Sequence, residues 1–180
     1  LTAGPVRIVN RSDEPVLASV TKYASPKNPL PASGNGYEIR RQYYRLDGEE
    51  APLNEVRQNE RFVVVLTVTE FEQNAAQILV TDLLPGGFEV DNPRLVKSAE
   101  LENFDWLAET EAVHTEFRDD RFVAAFERAS GNPRTFRLAY VLRAETPGQY
   151  KHPAAAVDDM YRPEKSARTA TGFLEVLPRE

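Results

Sequence analysis

The chain has 180 residues, no cysteine and a formal net charge of −6. That length fits one ordinary domain, or one domain plus a fragment of another, with a core large enough to need no staples. Without thiols there is no disulfide framework and no Cys-based zinc site, and acidic and basic residues mixed without a basic block argue against nucleic-acid binding.

Residues 1–36 differ from the rest. Leu1 opens the sequence without an initiator Met, which fits a piece of a longer protein. Residues 6–9 and 16–23 alternate apolar and polar side chains like two short strands, with the polar stretch 10–15 as a turn between them. Residues 25–36 then hold three prolines and two glycines. Such a stretch is expected to stay outside a sheet and to act as a linker. Residues 1–36 are therefore expected to be the trailing strands of a preceding domain plus a linker, and 37–180 to be the main domain.

Residues 37–46 read as the first strand of that domain, closed by the turn signal Asp47-Gly48. Phe62-Val63-Val64-Val65-Leu66-Thr67-Val68-Thr69 is the densest β-branched run of the chain. It is too short and too branched to favour a helix, and its continuous apolar character predicts a strand covered on both faces. Residues 77–82, 121–126 and 135–143 repeat the theme. Between them, Pro85-Gly86 suits the centre of a type II turn. Residues 92–117 lack a clean period and allow at most a short helix within 100–112. Residues 149–154 predict a broken edge strand, 158–164 a polar loop and 167–177 a closing strand. About seven strands with turn chemistry between them predict an all-β fold, an antiparallel β-sandwich.

Motifs for chemistry are sparse. The sequence has no nucleophile elbow, phosphate loop or dinucleotide fingerprint. His114 and His152 lie far apart without His or Cys neighbours, so each reads as a surface or rim histidine. The pairs Asp119-Asp120 and Asp158-Asp159 suggest solvated turns before they suggest calcium or glycoside chemistry. Neither metal nor cofactor is expected. The loop 158–164 stands out because it carries Met160 and Tyr161 among charged residues. These two either fold back on the sandwich edge as a corner anchor or present an apolar tip to a partner. Trp106, the single tryptophan, reads as core or core lid.

Six pieces in order carry a family likeness. They are Tyr43-Tyr44-x-Leu46-Asp47-Gly48, residues 62–68, Asp82-Leu83-Leu84-Pro85-Gly86-Gly87-Phe88-Glu89, residues 117–125, residues 136–148, and Asp159-Met160-Tyr161-Arg162-Pro163-Glu164. Together the set resembles the C-terminal macroglobulin-like domain of bacterial α2-macroglobulins, over residues 37 to 177. The resemblance implies a macroglobulin or fibronectin-III-like sandwich within a large periplasmic protease inhibitor, often an inner-membrane lipoprotein. Such proteins change shape after bait cleavage and in many members trap the protease through a thioester. That thioester needs a Cys-x-x-Gln type motif in another domain, because this chain has no cysteine. The implied role is non-catalytic: the module packs on the thioester domain and shields it. Asp159, Met160, Tyr161, Arg162, Pro163 and Glu164 would form that contact. Implied partners are neighbouring domains of the same chain, proteases reached through the full-length protein, and envelope or cell-wall proteins. The alternative is a free-standing Ig-like adhesion or carbohydrate-binding module, with Trp106 and Tyr43 or Tyr44 as an aromatic platform, or calcium near Asp119 and Asp120.

Overall fold

The computed structural model describes residues 7–21, 28–53, 56–91, 104 and 110–179. Among these every regular element is a strand: β1 (Ser33–Asn35), β2 (Tyr37–Tyr44), β3 (Val56–Arg57), β4 (Arg61–Glu70), β5 (Ala76–Leu83), β6 (Phe88–Val90), β7 (His114–Arg118), β8 (Arg121–Arg128), β9 (Thr135–Ala144), β10 (Gly148–His152), β11 (Ala155–Asp159), β12 (Ser166–Arg168) and β13 (Gly172–Leu177).

The strands form three sheets. One has the order β1-β12-β11-β5-β8-β7, a second β2-β4-β9-β6, and a small third β10-β13-β3. All pairings are antiparallel except β13 with β3. The inner faces of the two large sheets share one core. Ile39, Leu66, Val68 and Leu138 from the second sheet meet Ile78, Val80, Ala124 and Val157 from the first. Aromatic contacts bridge the two layers. Phe122 stacks on Tyr140 with centroids 4.6 Å apart, and Phe126 meets Phe136 at 4.8 Å. Offset or tilted ring pairs of this kind add to simple area burial. The expected antiparallel sandwich is what the chain forms.

β4 organises this core. Phe62 through Leu66 are all buried, although alternate side chains of a strand point to opposite faces. Val64 and Leu66 enter the shared core. Val63 and Val65 face the other way and pack with Val141 and Phe104 in a second cluster. Tyr44 completes that cover edge-on to Phe104, with centroids 5.8 Å apart. Both faces of β4 are thus covered, as its continuous apolar run predicts. At roughly 1.5–3 kcal/mol per fully buried Val or Leu, each of these side chains is a substantial part of a domain's net stability.

Several expectations need correction. Residues 7–21 form no strand, and every one of them is exposed. A hairpin buries nothing on its own and gains little from its ladder alone, so without a sheet to join the alternation does not produce strands. The Pro-rich stretch does enter a sheet. Ser33–Asn35 pairs with Arg168–Ser166 at an outer edge, past the last proline, where no ladder donor is lost. The closing segment is two strands, β12 and β13, because the chain leaves one sheet for another between them. The turn after Leu84 is centred one residue later than expected. Phe88 N–H donates to Pro85 O at 3.0 Å, and neither Gly86 nor Gly87 has a positive φ. Gly87 is needed instead for space: an added Cβ would lie 2.3 Å from the Tyr150 ring and 2.9 Å from Thr146 O. The helix weighed for 100–112 and Trp106 lie outside the described residues, apart from Phe104 and 110–112, which are not helical.

Candidate functional site

The turn from β11 to β12 is built around one carboxylate. β11 alternates so that Ala155, Val157 and Asp159 point inward. At the strand end Asp159 Oδ1 accepts the amide N–H groups of Tyr161 and Arg162, each at 3.0 Å. Its Oδ2 accepts from Arg162 Nε at 2.8 Å and from the Tyr37 hydroxyl at 3.1 Å. This is the local side-chain-to-backbone bonding that makes Asp a turn residue, reinforced here by a guanidinium. Burial alone would raise the Asp159 pKa. The Arg162 guanidinium and the two amides outweigh burial and hold it below the usual carboxylate value. The Tyr37 phenol is pushed up to about 12, first by burial and then by the charge of Asp159.

The backbone of the turn is fastened on both sides. Asp159 N–H donates to Lys165 O at 3.1 Å, and Lys165 N–H to Arg162 O at 2.8 Å. Met160 N–H reaches Gln77 O on β5 at 2.8 Å. Asn35 Nδ2 donates to Glu164 O at 2.7 Å, and Lys165 Nζ meets Glu72 at 3.0 Å. With Asp159 directed inward, Met160 and Tyr161 are left outside. Met160 is 57% exposed and Tyr161 76%. The corner-anchor alternative is therefore not what the chain adopts.

Of the six residues expected at a contact, the structure brings all into this one turn but divides their work. Asp159 is 3% exposed and acts from inside, with Arg162 half-buried beside it. Met160, Tyr161, Pro163 and Glu164 face solvent. Tyr37, Gln77, Lys165 and Asn35 also hold the turn and were not anticipated. An Asp ending a strand before a turn is a readable local signal, whereas a phenol 122 residues away is not.

A second polar cluster lies between the sheets. Arg41 donates to Asp82 Oδ1 at 2.5 Å and to Pro153 O at 2.7 Å, while the Tyr140 hydroxyl donates to Asp82 Oδ2 at 2.9 Å. Both side chains of the ion pair are nearly inaccessible. Beside it the Tyr43 hydroxyl lies 2.6 Å from His152 Nε2. His152 is thus partly buried and bonded, a correction to its reading as a surface or rim group. Burial, and secondarily the Arg41 charge, lower its pKa to about 3. Every charged group here already has a partner, so the cluster holds the layers together and leaves no free acid or base. Tyr43 is buried, which removes it from an aromatic platform. Asp119 and Asp120 make the tight turn between β7 and β8, and Asp120 pairs with Arg121 at 2.6 Å. Among the described residues no three His, Cys, Asp or Glu side chains gather in a metal-binding group.

Residues 36–164 match a family model described as the bacterial alpha-2-macroglobulin MG10 domain. An alpha-2-macroglobulin of Xylella fastidiosa strain 9a5c is 36% identical over 88% of this chain, which spans 10% of that protein. A crystal structure of native Escherichia coli alpha-2-macroglobulin, from domain MG7 to the C-terminus, superposes with a TM-score of 0.74 at 33% identity, covering 85% of this chain and 25% of the other. The Escherichia coli protein activated by porcine elastase gives a TM-score of 0.71 at 31% identity, covering 85% of this chain and 14% of that one. The chain therefore spans about a tenth of the length of the curated relatives it matches.

Proposed function

The chain belongs to the bacterial alpha-2-macroglobulin family as a macroglobulin-like module, and from that premise we propose that its work is docking rather than catalysis. In this reading the module is the C-terminal part of a periplasmic protease inhibitor. Its β11–β12 turn packs on the thioester-type domain of the same chain and helps to keep water from that region until cleavage changes the molecule's shape. The observation that carries the reading is the turn itself. The Asp159 carboxylate and the Arg162 guanidinium are engaged in holding its own backbone, and Met160 and Tyr161 are offered outward on a fixed support. Met and aromatic side chains are favoured at partner surfaces, and a pre-organised support lowers the ordering cost of docking. An apolar contact also suits the exclusion of water from a reactive centre.

Two further points support a module within a longer chain. Ile8, Val9, Val16, Leu17 and Val20 are all exposed, as befits apolar side chains whose cover would come from a preceding domain. The Escherichia coli relative carries this fold in both its native and its elastase-activated structure, in keeping with a module that moves as a rigid body.

The test is Met160→Ala with Tyr161→Ala in the full-length parent. Truncating two side chains at an interface centre is expected to weaken docking about tenfold or more. It should be read as spontaneous compaction without protease and, where a thioester is present, as its faster hydrolysis. Unchanged compaction and unchanged hydrolysis would remove the docking role.

A further inference from the structure

We propose that Met160 is an oxidation site through which a hydroperoxide undocks the turn, an inference that rests on the docking reading above. The chain has one methionine and no cysteine, so Met160 carries its only sulfur atom. A single methionine would ordinarily be core filler. Here it is 57% exposed at the tip of the turn, beside Tyr161. Its backbone N–H is fixed to Gln77 O, and the adjoining peptide is held by the Asp159 carboxylate. The thioether therefore changes chemistry without pulling the fold with it.

The step balances simply. The sulfur lone pair attacks one peroxide oxygen and the O–O bond breaks. The sulfur becomes a sulfoxide, and the second oxygen takes up the proton of the transferred one and leaves as water, or as an alcohol from an organic peroxide. Sulfur is oxidised and the peroxide reduced, with no other reactant. A sulfoxide is a strong hydrogen-bond acceptor, and burying it in an apolar contact without a donor disfavours the docked state. Covered by its partner, Met160 is shielded. Each opening exposes it, and oxidation then traps the open form until a sulfoxide reductase reverses it.

The test uses the full-length parent and two variants, Met160→Leu, which cannot be oxidised, and Met160→Gln, which mimics the added polarity. Hydrogen peroxide is the probe. Added oxygen is read on the peptide containing Met160 by mass spectrometry, and docking by the rate of spontaneous compaction without protease, since the turn's own amides are bonded within the module. The expected result is slow oxidation, with spontaneous compaction about tenfold faster once Met160 is oxidised. The Gln variant should compact fast before treatment, and the Leu variant should stay slow after it. If oxidised parent and Gln variant keep the slow compaction of unoxidised parent, the oxidation inference falls and docking stands. If peroxide oxidises Met160 in the parent as fast as it oxidises a free methionine derivative, the turn is uncovered and the docking reading fails as well.

Discussion

His152 lies at the end of β10 with a buried phenol as its partner, and that placement sets its titration. The folded-state pKa is about 3, against about 6.5 for an unfolded chain. A depressed histidine pKa means that folding favours the neutral ring. The stabilisation is fully present above about pH 6.5 and is lost as pH falls from there toward 3. Urea melts at pH 7.5 and pH 5 should therefore differ, and His152→Gln, which keeps a group for Tyr43 to bond, should narrow the difference. An equal pH sensitivity in the variant would show that other groups dominate. At this scale the sequence was least informative. His152 had no chemical neighbour within its own stretch, and its partner Tyr43 lies 109 residues earlier. Asp82 was no easier to read, since a single acid within a strand gives no sign that Arg41 and Tyr140 will close around it.

In the β11–β12 turn, adjacent residues are expected to separate stability from binding. Asp159→Ala removes the acceptor for two amides, a guanidinium and a phenol, and should cost at least about 2 kcal/mol. Met160→Ala at an exposed position should change stability by less than about 0.5 kcal/mol. Chemical denaturation of the two variants side by side checks both figures, and a Met160→Ala loss as large as that of Asp159→Ala would contradict the division of labour. Because the Asp159 pKa is lowered on folding, its contribution is present above the ordinary carboxylate value and fades as pH falls below it. Elements were the most legible level. β2, β4, β5, β8 and β9 coincide closely with runs of alternating or continuous β-formers. The misses have physical causes. β12 and β13 share one run of residues because periodicity does not report a change of sheet. The alternation in 7–21 lacks the partner that would make it a strand.

At the scale of the whole molecule, the pairing of β1 with β12 predicts that the folded unit extends to residues before 37. Because residues 7–21 are exposed throughout while β1 pairs with β12, a chain beginning at residue 28 should melt as the full chain does. One beginning at residue 37 should lose stability, since β12 then forfeits its neighbour and Glu164 O forfeits Asn35. Thermal melts of the two truncations decide it, and equal midpoints would return the boundary to residue 37. The sandwich and its family likeness were readable because strand runs and turn residues recur in order. The docking of the two layers through Phe122, Phe126, Phe136 and Tyr140 was not, since ring contacts between distant strands leave no local pattern.

The double burial of β4 also bears on how the chain is made. Its partner β9 is far along the sequence, and even the nearest hydrogen-bonded side chains of the pair, Thr69 and Thr135, are 66 residues apart. At about 5–20 residues per second, a ribosome needs several seconds to deliver β9 after β4 has emerged. During that interval the most apolar strand of the molecule has one sheet neighbour, β2, and an unpaired edge where β9 will add. Translation speed and holdase chaperones thereby become determinants of yield for this module, and the valines that make the finished core secure are the residues that most need protection before it closes.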